Sequence, residues 1–450
     1  MTQDMKNEEF ISRELDWLLQ VIVARIQLYF KQETDVAAVT DLIPPTLEGT
    51  EGPYAEFIRS NGLGFVDRLY LALAVASILR PQIMDCFCIK NSNTERRFVE
   101  FGCVDSDAGE VLPTLFTAVF LLAGDDVKER IGLIDYFSRH ALFSGHLFDR
   151  SGKGGQDHPV LRPTEEFIDK YILSRSYRPD FSEGFPAKRI TTALTWDDLV
   201  LDGGTLRQVE EIGTWLEYGE RILDEWDLRG RVKNGYRVLF YGPPGTGKTL
   251  TASLLGKTYG RDVYRVDLSL VVSKYIGETE KNLSKVFDQA ENKGWILFFD
   301  EADALFGKRT GIKDSHDRYA NQEVAFLLQR VEDYGGLVIL STNQKSNMDE
   351  AFTRRFQNVV QFQMPDAKCR ERLWRETFSR KCVLADDIDL KEIASRIEIS
   401  GGSIVNVVQF CSMHSMAAGT NIITLDRLMD GIRREFWKEG KILSEGKSFI

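Results

Sequence analysis

Metal-binding side chains are scarce in this sequence. Its 450 residues include only five histidines and six cysteines. No two cysteines have the Cys-x-x-Cys spacing of a zinc site, and the histidines are scattered rather than paired. This pattern argues against a zinc protein. Isolated thiols of this kind are typical of cytosolic proteins, where they stay reduced and unpaired.

An excess of basic residues is also absent. The chain has 57 Lys and Arg against 68 Asp and Glu, a formal net charge of −11. Residues 1–185 carry most of the imbalance, with 19 basic and 29 acidic residues, whereas residues 186–450 have 38 and 39. Because an acidic surface repels phosphate backbones, this balance disfavours nucleic acid as a partner.

Long hydrophobic runs are missing too. The longest apolar stretches, such as residues 69–79, fall well short of the ~20 residues that a helix needs to cross a bilayer. Residues 1–10 are polar and acidic, which is not the pattern of a signal peptide. The sequence therefore predicts a soluble, cytoplasmic protein without a membrane partner.

A glycine-rich segment has the pattern of a phosphate-binding loop. The apolar run at 238–241 predicts a buried strand before it, and residues 250–255 are compatible with a helix after it. The glycines let backbone N–H groups turn inward toward an anion, and the helix start adds partial positive charge. Lys248 would contact the β- and γ-phosphates, and the Thr249 hydroxyl would bind Mg²⁺. The segment, which predicts binding of a nucleoside triphosphate, is Gly242-Pro243-Pro244-Gly245-Thr246-Gly247-Lys248-Thr249.

Two carboxylates follow a second apolar run, 296–299. Downstream of a phosphate loop, Asp300 is expected to hold the Mg²⁺ shell, and Glu301 to orient and polarise the attacking water. A third apolar run, at 337–340, leads to Asn343, whose amide could reach the γ-phosphate and the water. Taken alone, Asn343 is equally compatible with a turn.

Strands alternate with helices from residue 191 onward, which predicts a parallel sheet covered on both faces. Strands are expected at 237–241, 263–267, 296–299, 337–341 and 359–362, and the nucleotide at their carboxyl ends. Helices are expected at 369–381, 390–396, 403–418 and 426–439, an arrangement that resembles the small helical lid of AAA ATPases. The fold class predicted is α/β, a P-loop NTPase sheet with a helical lid, after a small α-rich, winged-helix-like N-terminal domain.

The N-terminal part is predicted to be mostly helical. Apolar residues at three- and four-residue steps predict a helix over 8–31, which either packs on its own domain or docks on a partner. Further helices are expected at 54–60, 64–79 and 112–122, and a strand at 98–103. Turn-forming residues at 174–188 predict an interdomain linker. The expected domains are residues 1–185, which recruit a partner or substrate, residues 186–365, the large ATPase subdomain, and residues 366–450, the lid.

The motifs, in their order and spacing, resemble the AAA ATPase family over about residues 190–440. The resemblance implies ATP hydrolysis with Mg²⁺ in a ring, a homohexamer, in which an arginine of one subunit completes its neighbour's site. That arginine would be Arg354 or Arg355, which are adjacent here instead of being separated by Pro-Gly. Arginines on a polar turn are otherwise often simply solvated. Lys274, Tyr275 and Ile276 resemble the first pore loop of members that thread polypeptides.

The resemblance also implies further nucleotide contacts. These would come from Asp198 and Leu199, next to the adenine, from Leu250 after the phosphate loop, and from Gly402 in the lid. Some relatives carry a sensor arginine near Gly402, and here the corresponding residues are Ser400-Gly401-Gly402-Ser403. The N-terminal part resembles winged-helix-bearing bacterial AAA ATPases, some of them encoded with contractile injection particles.

These features predict an ATP-dependent remodeller that moves a protein client with its pore loops. Two alternatives stay open. One is a nucleotide-switched adaptor or assembly factor that docks on a partner without threading it. The other is a DNA-acting ATPase that uses a winged helix, which the acidity of residues 1–185 disfavours.

Overall fold

The computed structural model describes most of the chain in two compact units. The units are Met1–Arg178 and Pro179–Ile450. Their boundary lies inside the 174–188 segment expected to be a linker. The described residues are 3–106, 108–140, 147–148, 160–182, 185–271, 278–291, 293–302, 315–343 and 353–441, without the side chains of 3–5, 269–270 and 315–321.

The first unit is built mainly from helices around one apolar core. The helix that the apolar spacing predicts at 8–31 is present as the 27-residue α1, whose Leu18, Val21 and Ile22 are fully buried. α3 is mostly apolar and lies in the middle of this core. The elements are α1 (Gln3–Tyr29), α2 (Pro53–Ser60), α3 (Phe65–Leu79), β1 (Val104–Asp105), β2 (Val111–Leu112), α4 (Leu115–Ala123), α5 (Val127–Arg139) and α6 (Glu165–Phe167).

The strand expected at 98–103 is wrong. Val99–Phe101 is a 3₁₀ turn, and Gly102 continues it with a φ of 67°. A Cβ on Gly102 would lie 2.7 Å from the backbone of Phe116, so α4 packs directly on this turn. Phe98 and Phe101 contact Tyr29 of α1 through edge-on ring packing. The apolar residues that suggested a strand are thus anchors of a turn.

A six-stranded sheet forms the core of the second unit. The strand order is β3-β5-β6-β7-β4-β8, and every neighbouring pair is parallel except β3 with β5. The central strands are continuous apolar runs because helices cover both faces. The elements are β3 (Lys188–Ile190), α7 (Gly203–Glu225), β4 (Tyr236–Tyr241), α8 (Lys248–Tyr259), β5 (Val263–Asp267), α9 (Leu268–Val271), α10 (Glu278–Ala290), β6 (Ile296–Asp300), α11 (Ser315–Asp333), β7 (Leu337–Thr342) and β8 (Asn358–Gln361).

The five strands predicted from the sequence are confirmed, each to within one residue at either end. The sequence did not predict β3, which has the composition Lys-Arg-Ile and pairs antiparallel at the edge. An edge strand of three residues has too few apolar positions to show a period. Its charged residues are typical of a protected edge.

A helical lid follows the sheet, as predicted, and has its own core around Trp374, Ile404 and Ile432. Its helices begin at polar caps, such as Ser400, whose hydroxyl accepts a hydrogen bond from the Ser403 N–H. The elements are α12 (Ala367–Thr377), β9 (Val383–Leu384), α13 (Leu390–Arg396), α14 (Gly401–Ala417), β10 (Ile422–Ile423) and α15 (Leu425–Lys438).

Among the described residues, no single helix has the length and apolar character needed to cross a membrane. Phe65–Leu79 and Pro81–Cys88 reach that length only together, and they meet at a bend of 105°.

Candidate functional site

The glycine-rich segment forms a tight loop between β4 and α8. Three of its residues have positive φ angles, Gly242 at 145°, Gly245 at 74° and Gly247 at 102°. A Cβ on Gly242 would lie 1.9 Å from the carbonyl oxygen of Phe362. Side chains at these positions would be strained or would clash, so the glycines fix the loop that the motif predicts. The N–H groups at the start of α8 have no partner within their own helix.

The lid contacts this loop directly. The Gly402 N–H donates a hydrogen bond of 2.9 Å to the Gly245 carbonyl. A Cβ on Gly245 would lie 2.6 Å from the Ser400 hydroxyl oxygen. The start of α14 therefore lies against the phosphate loop, which brings the predicted Gly402 to the site.

Lys248 is almost buried, at 8% exposure, and its ammonium group lies inside the loop. It donates to the carbonyls of Gly242 at 2.6 Å and Pro243 at 2.9 Å. It also donates to the amide oxygen of Asn343, at 3.2 Å. Asn343 directly follows β7, the strand beside β4. The structure thus brings Lys248 and Asn343 together, which the sequence could only suggest.

Asp300 ends β6 and Glu301 follows it. The Asp300 side chain is 17% exposed and forms an ion pair with Arg265 of β5, at 3.1 Å. Glu301 is exposed and has a φ of 52°, which is costly for a residue with a side chain. The next residue, Ala302, donates its N–H to the Ser341 carbonyl at 2.9 Å. Backbone strain of this kind is concentrated at functional sites, and here it turns the chain immediately after the strand.

The oxygen donors suit Mg²⁺. Thr249 offers a hydroxyl at the start of α8, and Asp300 offers a carboxylate at the tip of β6. Across the part of the chain that the structure describes, no cluster of three or more His, Cys, Asp or Glu side chains is arranged to hold a metal. Mg²⁺ in nucleotide sites takes one or two protein ligands plus phosphates and water, so this donor set fits it.

Asp198 and Leu199 lie beside the loop in different ways. A Cβ on Gly247 would come within 2.9 Å of Leu199, so Leu199 packs on the start of α8. The Asp198 carboxylate accepts hydrogen bonds from Thr195, at 2.7 Å from its N–H and 2.8 Å from its hydroxyl. These bonds lower the pKa of Asp198. Its side chain therefore caps its own turn, and only its backbone is available to a base.

Arg354 and Arg355 lie near the end of the sheet opposite the phosphate loop, where β4 begins. Gln357, two residues later, donates its N–H to the Arg237 carbonyl near the start of β4, at 3.0 Å. Gly242 lies five positions after Arg237, which is about 16 Å along an extended strand. An arginine side chain is shorter than that. The arginine pair therefore lies near the amino end of β4, away from the phosphate loop.

The two exposed arginines differ in their surroundings. Arg355 forms an ion pair with Glu332, near the end of α11. Lys233 also pairs with Glu332, and the hydrogen bonds from Lys233 and Arg355 lower the pKa of that carboxyl. No sequence motif pointed to Glu332. A lone carboxylate near a helix end carries no signal until its partners are known.

A buried arginine supports this edge of the sheet. Arg237 is 1% exposed and donates to the carbonyls of Gly235 at 2.8 Å, Asn234 at 3.0 Å and Val331 at 3.2 Å. Burial lowers its pKa. Arg237 ties β4 to the end of α11, a role that sequence reasoning missed because the residue was counted as part of an apolar strand.

A cavity of about 560 Å³ opens at this same end of the sheet, where the strands begin, remote from the phosphate loop. Trp215, Phe287 and Tyr334 are among its lining residues. It is therefore not the nucleotide site predicted at the carboxyl ends of the strands.

Lys274, Tyr275 and Ile276, the predicted pore loop, lie outside the described residues. The description resumes at α10, which begins at Glu278. Their assignment stays a prediction.

Known proteins are similar to part of this chain. Residues 238–364 match the model of the ATPase family associated with various cellular activities (AAA). "Peroxisomal ATPase PEX6" of Yarrowia lipolytica is 32% identical over 248 residues, 53% of this chain and 23% of that protein. "Proteasome-activating nucleotidase" of Methanopyrus kandleri is 30% identical over 264 residues, 56% of this chain and 59% of that protein. "Cell division cycle protein 48 homolog" of Archaeoglobus fulgidus is 29% identical, over 51% of this chain and 31% of that protein. The chain thus spans less than two thirds of the length of each of these relatives.

Proposed function

We propose that residues 238–364, which match the AAA family model, form an AAA ATPase domain and that the chain is a protein-remodelling ATPase. It would hydrolyse ATP between the subunits of a ring and move a protein client. The observation that carries the proposal is the contact of Lys248 with Asn343 inside a glycine loop, closed from the lid side by Gly402. Two of the similar proteins are named as an ATPase and a nucleotidase.

ATP would bind with its phosphates in the loop. The N–H groups at the start of α8 would face the phosphates there, and Lys248 would exchange its loop carbonyls for phosphate oxygens. Thr249 and Asp300 would hold Mg²⁺, which neutralises phosphate charge when it is bound. Glu301, on its strained turn, would orient the attacking water and accept its proton, while Asn343 would contact the γ-phosphate and that water.

The site would be completed by a neighbouring subunit. The arginine pair would lie too far from its own phosphate loop to serve it, and would be available to another copy. We propose Arg354 as the residue that reaches across, because Glu332 of the same chain already holds Arg355. A planar cation at the transferred phosphoryl group stabilises its developing charge. A closed ring, a homohexamer, would give every subunit such a neighbour.

Tyr275 would convert turnover into movement by gripping an extended client. Tyr275→Ala would remove the proposed gripping ring and would keep every residue proposed for the ATP site. We expect unfolding or extraction of a client to be lost. ATP turnover should stay within about twofold of wild type, because the substitution changes no residue proposed for the ATP site. Phosphate release and client remodelling should be measured on the same preparation, with Tyr275→Phe as the control that retains the ring. Full remodelling by Tyr275→Ala would favour the nucleotide-switched adaptor.

The client would be recruited by residues 1–185. Their acidity favours a protein with a basic surface over nucleic acid. A winged-helix-like role for this part, an association with contractile injection particles and a cytoplasmic location are all proposals from the sequence. Salt-sensitive DNA binding by the full chain, lost when residues 1–185 are removed, would favour the DNA-acting alternative.

The proposal is tested on the purified full chain. Phosphate release and molecular mass should be measured together, with and without ATP and Mg²⁺. We expect ATP-dependent assembly to about six copies and steady phosphate release that EDTA abolishes. A protein that stayed monomeric at high concentration and released no phosphate would overturn it.

A further inference from the structure

Arg265 is the residue that carries an additional inference, and no sequence motif includes it. It lies on β5, two residues before Asp267, and Asp267 is the register partner of Asp300 on β6. Residues two apart on a strand share a face, so Arg265 and Asp300 lie on the same face of the sheet. A guanidinium nitrogen of Arg265 forms an ion pair with Oδ2 of Asp300 at 3.1 Å.

This ion pair occupies the carboxylate that the proposed function assigns to Mg²⁺. Asp300 Oδ1 accepts a hydrogen bond of 3.1 Å from the Glu301 N–H, while Oδ2 faces Arg265. The Asp300 side chain is 17% exposed and the Arg265 side chain 39%, so water screens their attraction only in part. A metal ion that enters here would stand next to a fixed positive charge.

We propose that Arg265 is a positioning residue that stands in for Mg²⁺ at Asp300 while the nucleotide is absent. It keeps the partly buried carboxylate neutralised and oriented, and its charge opposes binding of a divalent cation alone. A triphosphate brings enough negative charge to offset this repulsion, so metal and nucleotide enter together. The inference rests on the proposed ATPase function.

The chain offers a matched control. Arg189 on β3 pairs with Asp262 at 2.7 Å, with side-chain exposures of 32% and 19%. These values are close to those of Arg265 and Asp300. Asp262 precedes β5, at the edge of the sheet away from the phosphate loop. Arg189→Met therefore removes an equivalent ion pair without touching the proposed metal position.

The experiment measures Mn²⁺ binding to the nucleotide-free full chain by electron paramagnetic resonance of the unbound ion. Arg265→Met should bind Mn²⁺ about tenfold more tightly than wild type, because a neighbouring Arg shifts proton binding to a carboxylate by one to three powers of ten and should oppose another cation in the same way. Arg189→Met should bind as wild type does. The double variant Arg265→Met with Asp300→Asn should lose the gain, since the new affinity depends on that carboxylate.

Unchanged or weaker Mn²⁺ binding by Arg265→Met would overturn the inference, and so would an equal gain in Arg189→Met. If Arg265→Met does not fold, Arg265→Gln applies the same test with a polar side chain. The result is independent of turnover. A wild type that hydrolyses ATP while Arg265→Met shows no gain would refute only the role of Arg265. A wild type without hydrolysis would refute the proposed function instead.

Discussion

Glu301→Gln should bind ATP as tightly as wild type and hydrolyse it about 10²–10⁴ times more slowly, the usual contribution of a positioned general base. The amide keeps the size of the side chain and cannot accept the proton of the water. The Glu301 side chain is exposed, so the substitution should leave the fold unaffected. Single-turnover phosphate release and equilibrium binding of a fluorescent ATP analogue separate the two effects.

Glu291→Gln is a suitable control for this experiment, because it removes a carboxylate from the opposite edge of the sheet. It should leave turnover unchanged. Wild-type turnover by Glu301→Gln would remove Glu301 from the mechanism. If it is slow as expected, the trapped ring is also the best material for identifying a client, since whatever it holds is not released.

Arg354→Ala should leave ATP binding intact and reduce turnover by about 10³-fold or more, the range found for arginines supplied by a neighbour. Arg355→Ala should reduce turnover less, because Arg355 acts by packing with Glu332 beside the reaching residue. Steady-state phosphate release, measured on assemblies of confirmed mass, tests both variants.

Mixing subunits tests whether the site is shared. Arg354→Ala subunits retain an intact phosphate loop, and Lys248→Ala subunits retain the arginine. Each variant should be inactive alone. A mixture should recover part of the activity, because some interfaces pair a good loop with a good arginine. Absence of recovery in mixed rings, or normal turnover of Arg354→Ala alone, would contradict a site built from two copies.

The parts of the fold that the sequence predicted well are those set by local patterns. The apolar runs before the phosphate loop and before Asp300 admit one reading, a buried parallel strand, and both strands are present. The glycines of the loop are likewise required by backbone angles that few other residues adopt. A motif of this kind determines its own local geometry, so it can be read without knowing the rest of the chain.

The parts that could not be predicted depend on contacts between distant residues. Arg265 and Asp300 are 35 positions apart and meet only because their strands are neighbours in a particular register. Glu332 gains its role from Lys233 and Arg355, which lie on either side of it in the sequence. At 98–103 the aromatic residues fit a strand equally well, and only the packing of α4 on Gly102 decides for a turn.

The short strand β4 has a mechanical consequence. The last residue of β4 leads into the phosphate loop. Arg237, the second residue of β4, forms two hydrogen bonds with Gln357, which follows the arginine pair by two positions. β4 is hydrogen-bonded to a strand on each side, so it should move as a rigid element that connects the phosphate loop to the arginine pair. In the proposed assembly those places belong to two successive catalytic pockets. A tilt of β4 that accommodates nucleotide in one pocket would shift the arginine that reaches the next pocket. Neighbouring pockets would then not hydrolyse ATP independently of one another.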